Sequence, residues 1–387
     1  MAQKITVLDL YSGLGGLSLG FEFTGAFKTI GGIDNYDWAV KTFYHNHNDL
    51  NLRLVSQPQN LSQLEPKAVL DDLGEKPDVI IGGPPCQGFS HAGKRLESVQ
   101  DDTRNEQVRH FLKFVKIIRP KVFLMENVSG ILVTGQQKKN DLLNFLIDKY
   151  QALGYKTSWK VLNSADYRVP QRRKRLFLIG LLDNEKAFTF PEPSCGETFD
   201  LFSNAEPFYT VGDALNDLPT PEEDEPQNYE EKPKTNLQKF LRVNSTALHN
   251  HLVTKHGKEM LIKLKKQKTG TRLYPNWNHS WYRLDPSKPS PAVKENHRAP
   301  FVHFAEPRAT SPRECARLQT IPDHYILLGT KTAQLIMVGN AVPPILSAHI
   351  ATGIAQQYFK IEIPYPWTSS HNPLLLNGES SNAPSTN

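Results

Sequence analysis

The sequence predicts an α/β protein built on a doubly wound, mostly parallel sheet, with a second, smaller domain. Three observations predict it. An apolar run at 5–11, ITVLDLY, breaks into Ser12-Gly13-Leu14-Gly15-Gly16 and resumes with helical spacing, the strand, tight turn and helix that such sheets repeat. Further buried-strand runs at 27–33, 78–81, 121–125, 157–162 and 176–182 are interleaved with helix-like stretches at 36–47, 105–118 and 140–153. From about 186 to 280 the texture changes: prolines become frequent and periodicity weakens. A chain of 387 residues accommodates two domains. The expected spans are 1–185 for the first domain, 186–310 for the second, and 311–365 for a return to the first. A Ser/Asn-rich tail at 366–387 is expected to be disordered.

Composition narrows the function classes. A net charge of +5 and a pI near 8.9 suit a polyanionic partner, although many unrelated enzymes carry as much. Three cysteines, odd in number and without metal-ligand spacing, argue for a reducing compartment, no disulfide framework and no metal site. No apolar run reads as a membrane span and no signal sequence precedes Ile5, so the expected location is the cytoplasm.

In chain order, the glycine turn after the first strand lets a nucleotide-like ligand approach the backbone. Asp34 ends the second strand, where an acid can accept both hydroxyls of a ribose; the alternative is that Asp34 caps the helix beginning near Tyr36. The stretch 48–77 reads as irregular. Then comes Gly82-Gly83-Pro84-Pro85-Cys86-Gln87-Gly88-Phe89-Ser90, which sets one cysteine on a stiff turn just past a strand's carboxyl end. A thiolate there is a candidate nucleophile, whereas a lone cysteine elsewhere would be packing. The loop 87–104, with Lys94 and Arg95, could close over a polyanion or be a solvated connection. Glu126 ends the next strand, so a thiol and a carboxyl group share one sheet edge. Arg172-Arg173-Lys174-Arg175 enters a buried strand, its period of two sending Arg173 and Arg175 to the same side. Residues 255–272 hold seven Lys or Arg against one Glu, followed by Tyr274, Trp277, Trp281 and Tyr282. That pairing suits phosphate contact and base stacking, or else marks a lysine-faced surface helix. Ser311-Pro312-Arg313-Glu314 is a strong helix start, and the last helix, with Leu346, Ile350 and Ile354 on one face, should pack on the first domain.

These segments resemble the cytosine-5 DNA methyltransferases of bacterial restriction-modification systems. DLYSGLGG, GGPPCQGFS, ENV, QRRKR, RECARLQTIPD and GNAVPP occur in the family's order and span most of the chain. The resemblance implies the S-adenosylmethionine-dependent methyltransferase fold, with a catalytic and cofactor-binding domain and a small target-recognition domain. It implies methyl transfer from S-adenosylmethionine to carbon 5 of a flipped-out cytosine in a short duplex DNA target, through a Cys86 adduct at carbon 6. Glu126 would neutralise ring nitrogen 3 and Arg175 hold the exocyclic oxygen, with Arg173 and Gln171 in support. Tyr11 would pack on the adenine, Asp34 bind the ribose, and Asn340, Asp9 and Gly13 line the methionine end beside Gly15 and Pro85. Gln87, Ser90, Lys94, Arg95 and Arg272 would meet double-stranded DNA. A monomer is expected, with a cognate restriction endonuclease acting on the same site without a stable complex. One departure is visible: where many relatives have an Asp-Ile pair for the adenine amino group, this chain has Asn60-Leu61. Transfer RNA methylation, or DNA binding by a catalytically dead relative, are the competing readings.

Overall fold

The computed structural model describes residues 3–85, 106–133, 141–197, 206–274, 281–294 and 301–363. Two compact units divide the described chain: Met1–Asn163, Lys174–Glu192 and Ser347–Tyr365 form the first; Ser164–Arg173 and Pro193–Leu346 form the second.

The first unit is built on a six-stranded sheet of β1 (Ile5–Leu10), β2 (Phe27–Ile33), β3 (Val79–Gly82), β4 (Val122–Val128), β5 (Tyr155–Asn163) and β7 (Lys174–Leu182). Their order is β2-β1-β3-β4-β7-β5, with β7 antiparallel to both neighbours and the other five strands parallel. Helices α1 (Gly16–Phe23), α2 (Asp37–Asn46), α3 (Pro66–Leu73), α4 (Glu106–Ile118) and α5 (Asp141–Ala152) connect the strands. Alternation along each strand decides which side chain meets which helix. Leu8, Leu10, Ile80, Phe123, Met125, Leu176 and Leu178 join Phe111 and Phe114 of α4 and Leu142 and Leu146 of α5 in one buried cluster. Burying a Leu or Phe side chain contributes about 1.5–3 kcal/mol, so this face is a principal source of the unit's stability. Helix α11 (Pro344–Gln357) enters this unit at Ser347, whose hydroxyl donates to the Leu17 carbonyl of α1 at 2.7 Å.

One expectation is corrected here. The stretch 48–77 is not irregular throughout: α3 forms behind Pro66 at its first turn and ends at Gly74, φ 71°, in the left-handed region. Residues 331–357 are long and apolar enough to cross a membrane by length and composition. They form α10 (Lys331–Asn340) and α11, interrupted around Pro343, with most of their side chains buried inside the protein.

The second unit is held together less by regular structure than by charge. It contains β6 (Gln171–Arg172), α6 (Val211–Leu215), α7 (Asn236–Leu241), α8 (Lys258–Lys266), α9 (Pro312–Leu318) and α10. Every residue of α9 is buried, including two arginines. Arg317 donates to Asp323 at 2.9 Å and to the Ala214 carbonyl at 2.9 Å, and pairs with Asp217. Arg313 donates to the carbonyls of His249, Pro322 and Tyr325. Glu314 takes both ends of Arg308 at 2.9 and 2.8 Å. Stripping one partner from a buried pair costs about 3–5 kcal/mol, so these bonds tie α9 to segments both before and after it. The segment 311–346 therefore belongs with the second unit, and the return to the first begins at Ser347 rather than 311. The tail 366–387 lies outside the described residues.

Candidate active site

The first unit gathers candidate side chains at the carboxyl ends of its parallel strands, where open α/β sheets bind ligands. At the tip of β1 the chain turns through Tyr11 (φ 58°), Gly13 (φ 55°) and Gly15 (φ 93°), all left-handed, before α1 begins. Asp34, at the end of β2, fastens that turn: its Oδ2 accepts from the Gly13 N–H at 2.8 Å and its Oδ1 from the Tyr36 N–H at 2.9 Å. The bond to Tyr36 lies outside the helix, since α2 starts at Asp37 without a side-chain cap, so capping does not account for Asp34. Burial raises the Asp34 carboxyl, and the N–H groups of Tyr36 and Gly13 offset part of that rise. Each carboxylate oxygen still has a second lone pair for a hydroxyl. Tyr11 is held in place by its own hydroxyl, which donates to the Gln107 carbonyl and Oε1 at 3.0 and 2.9 Å.

Asp9 lies beneath this turn, fully buried. Neither of its oxygens reaches a hydrogen-bond partner, although Ser18 is close enough to favour the anion. Burial dominates and raises the carboxyl to about 7; Ser18 counteracts it, and the charge of Asp34 adds to it. A side chain built on Gly13 would meet nothing within 4 Å. The cradle thus offers open room above a glycine, an acid with unused acceptor sites and a buried carboxyl without a partner. These features fit S-adenosylmethionine, whose ribose diol and cationic methionine end need such groups.

The second cluster lies one strand over. Gly82 is required because a Cβ there would sit 2.2 Å from the Leu10 carbonyl oxygen of β1. Gly83 leaves room for Glu126, whose Oε2 would lie 3.0 Å from an added Cβ. Glu126, on β4, meets the Nε of Arg175, on β7, at 2.9 Å, with side-chain exposures of only 12% and 19%. Strand register produces this meeting, since Val128 pairs with Arg175 and Glu126 with Phe177. Asn127 fixes the turn by donating to the Pro84 carbonyl at 3.2 Å. Pro85 is exposed at the end of the described stretch. Cys86, Gln87, Ser90, Lys94 and Arg95 lie outside the described residues, as does Trp277.

The remaining expected residues belong to the second unit. Gln171 is fully buried, donating to the Leu318 carbonyl and Gln319 and accepting from the Val293 N–H. Arg173, 2% exposed, donates to the Val293 carbonyl at 2.8 Å and the Asn340 carbonyl at 3.5 Å. Both brace Val293, Gln171 together with the end of α9 and Arg173 together with the end of α10, so these bonds are structural. Gln171 and Arg173 are buried, Arg172 and Lys174 exposed, and Arg175 half-buried. Asn340 ends α10 with an exposed side chain, and Arg272 is exposed on a bridge to Tyr282. Asn60 is an exposed cap, its Oδ1 accepting from the Ser62 N–H at 3.0 Å, which gives it a local job. Sequence reasoning missed Gln107 altogether. It quoted Asn127 within ENV without seeing that its amide clamps the turn before Cys86.

Residues 5–356 match the C-5 cytosine-specific DNA methylase family. The chain is 35% identical to the type II methyltransferase M1.HphI of Haemophilus parahaemolyticus, over 91% of this chain and 87% of that one. It is 31% identical to the type II methyltransferase M.DdeI of Desulfomicrobium norvegicum, over 93% and 90%. Among solved structures, a prophage-encoded Escherichia coli protein described as a candidate DNA modification methyltransferase superposes with a TM-score of 0.75. That match has 25% identity and covers 92% of this chain and all of that one. The chain belongs to the C-5 cytosine-specific DNA methylase family, as a DNA (cytosine-5) methyltransferase of restriction-modification type that uses S-adenosylmethionine.

Proposed function

We propose that the protein methylates carbon 5 of one cytosine, swung out of a short duplex target, through a transient bond from the Cys86 sulfur to carbon 6. The observation that carries this reading is the Glu126–Arg175 pair, resting over Gly83 three residues before Cys86. Carbon 5 of cytosine is a weak nucleophile, and adding a thiolate to carbon 6 changes that. The ring's 5,6 double bond opens, negative charge moves towards nitrogen 3, and the Glu126 carboxyl holds a proton there. Arg175 keeps that carboxyl in place and offers further N–H donors to the exocyclic oxygen; a guanidinium has five. S-adenosylmethionine supplies the electrophile, a methyl carbon on a sulfonium. Loss of the proton from carbon 5 to water then expels the Cys86 thiolate and restores the double bond, and the nitrogen 3 proton returns to Glu126.

A stacked base cannot present its face to a thiol, so the cytosine leaves the helix at a cost of a few kcal/mol. Gln87, Ser90, Lys94 and Arg95 near the thiol, and Arg272 in the second unit, offset that cost through DNA contacts. The first unit carries the chemistry; the second, apart from its bracing of Gln171 and Arg173, reads the target. The enzyme works as a monomer, and a restriction endonuclease recognising the same sequence acts separately.

Trapping tests the covalent step. Fluorine at carbon 5 cannot leave as a proton, so DNA synthesised with 5-fluorodeoxycytidine should give an adduct that survives denaturing electrophoresis. Its formation should require S-adenosylmethionine and vanish in Cys86→Ala. An adduct persisting in that variant, or none with the wild type while it methylates normal DNA, would refute the covalent route.

A further inference from the structure

We propose that α8 and the turn after it form a rail that grips the phosphates of duplex DNA, through Lys258, Lys263, Lys265, Lys266, Lys268 and Arg272. This deepens the proposed function and rests on its choice of duplex DNA as substrate. Helix α8 is an unusual element for a stable fold to keep. Of its nine residues only Leu264 is buried, and a helix this short is marginal on its own in water. Its apolar Ile262 is 55% exposed. Lys263 and Lys266 stand one turn apart, a like-charge pairing that weakens a helix. The six cations named are all exposed, and among the described residues none is paired with a carboxylate. Lys255, just before them, does have such a partner in Glu223, at 2.7 Å.

The protein nonetheless ties this segment down by hydrogen bonds at both its helix and its turn. Arg283, 5% exposed, donates to the Leu264 carbonyl in the last turn of α8 and to the carbonyls of His303 and Phe304 at 2.9 and 3.1 Å. Gln267 donates to the carbonyls of Thr271 and Trp281 at 2.8 and 3.0 Å. Gly270, φ 73°, makes the reversal that brings Arg272 opposite Tyr282. One buried guanidinium and one buried leucine thus anchor a helix whose outward face carries an exposed isoleucine and a run of lysines more numerous than its own dipole needs. Charge complementarity names the occupant. Duplex DNA presents one negative charge per about 1.7 Å of its axis, and a fixed row of cations displaces its condensed counterions.

The test is the salt dependence of DNA binding by the full-length protein. Fluorescence anisotropy with a short labelled duplex of random sequence would be followed from about 50 to 200 mM NaCl. For Lys263→Gln/Lys265→Gln/Lys266→Gln, the slope of log affinity against log salt should flatten by about 2.7, three contacts at about 0.9 each. Lys268→Gln/Arg272→Gln, outside the helix, should flatten it by about 1.8 and carries the test alone if the triple variant fails to fold. S-adenosylmethionine binding should be unchanged in both. Slopes equal to wild type would overturn the rail, as would flattening seen with single-stranded RNA and not with the duplex. If the wild type methylates no DNA yet the slopes flatten as stated, the proposed reaction falls and the rail stands.

Discussion

Adding one methyl group at Gly82 tests whether the nucleophile turn is positioned by close approach of β3 to β1. In Gly82→Ala the new carbon would sit 2.2 Å from the Leu10 carbonyl oxygen, and 3.0 Å from both the Leu10 carbonyl carbon and the Phe111 ring. Ordinary contact begins near 3.4 Å, so the strands must part by about 1.2 Å, and backbone cannot yield as a flexible side chain does. Overpacking costs about 1–3 kcal/mol, and a clash with backbone belongs at the upper end. At about 2–4 °C per kcal/mol the melting temperature should fall by roughly 6–12 °C. Gly83 to Pro85 follow directly, and a shift of about 1 Å at a reacting group costs on the order of a hundredfold in turnover. Gly13→Ala is the contrast. Its methyl meets nothing within 4 Å, but φ is +55°, which costs an alanine about 1–2 kcal/mol. That variant should melt only a few degrees lower while losing S-adenosylmethionine affinity, because the new methyl occupies the space left for the ligand. Thermal melting, calorimetric titration with S-adenosylmethionine and tritiated methyl transfer would be read side by side. If Gly82→Ala melts like wild type and turns over normally, or Gly13→Ala binds the cofactor undiminished, the reasoning about both turns is wrong.

Other perturbations separate chemistry from folding. Glu126→Gln keeps the shape of the Arg175 partner but not its proton, so turnover should fall by about 10²–10⁴ with DNA affinity preserved, as gel shift and single-turnover assays would reveal. Arg175→Ala should lower turnover and melting temperature together, because it leaves the Glu126 carboxyl, 12% exposed, without the cation it meets. Glu314 predicts a pH dependence. Burial by itself would raise its carboxyl, but Arg308 outweighs burial and holds it at about 2, against 4.5 ordinarily. A depressed folded value means that stability is present in full above about pH 4.5 and lost as pH falls towards 2, in total about 3 kcal/mol. Urea unfolding across that window should be steep for wild type and flatter for Glu314→Gln.

The parts legible in sequence were those where a local period and a turn coincide. β1, the glycine turn and α1 announce themselves because an apolar run, three glycines and a helical run follow one another; β4 with Glu126 does so because an apolar strand ends in an acid. Helix α3 escaped notice although Val69, Leu70 and Leu73 stand at helical spacing and meet the core, because eight residues give that spacing barely two turns to repeat. The boundary at 311 misled for the opposite reason. The helix start at Ser311 is strong, but nothing local tells that Arg313 and Arg317 are buried against Asp323, Asp217 and distant carbonyls. Buried charge depends on partners far along the chain; Arg317 and Asp217 are a hundred positions apart. Gln171 and Arg173 show the same limit: nothing local told of their engagement with Val293, Leu318 and Asn340. Asp34 was readable as an acid at a strand tip, and only the fold reveals that it also holds the glycine turn.

The most direct measurement is bisulfite sequencing of DNA from cells expressing either the wild-type protein or Cys86→Ala. The account predicts that wild type protects one cytosine in every copy of a short recurring sequence, and that the variant protects none. Protection that survives the loss of the thiol, or wild-type DNA converted throughout despite folded, cofactor-binding protein, would contradict it.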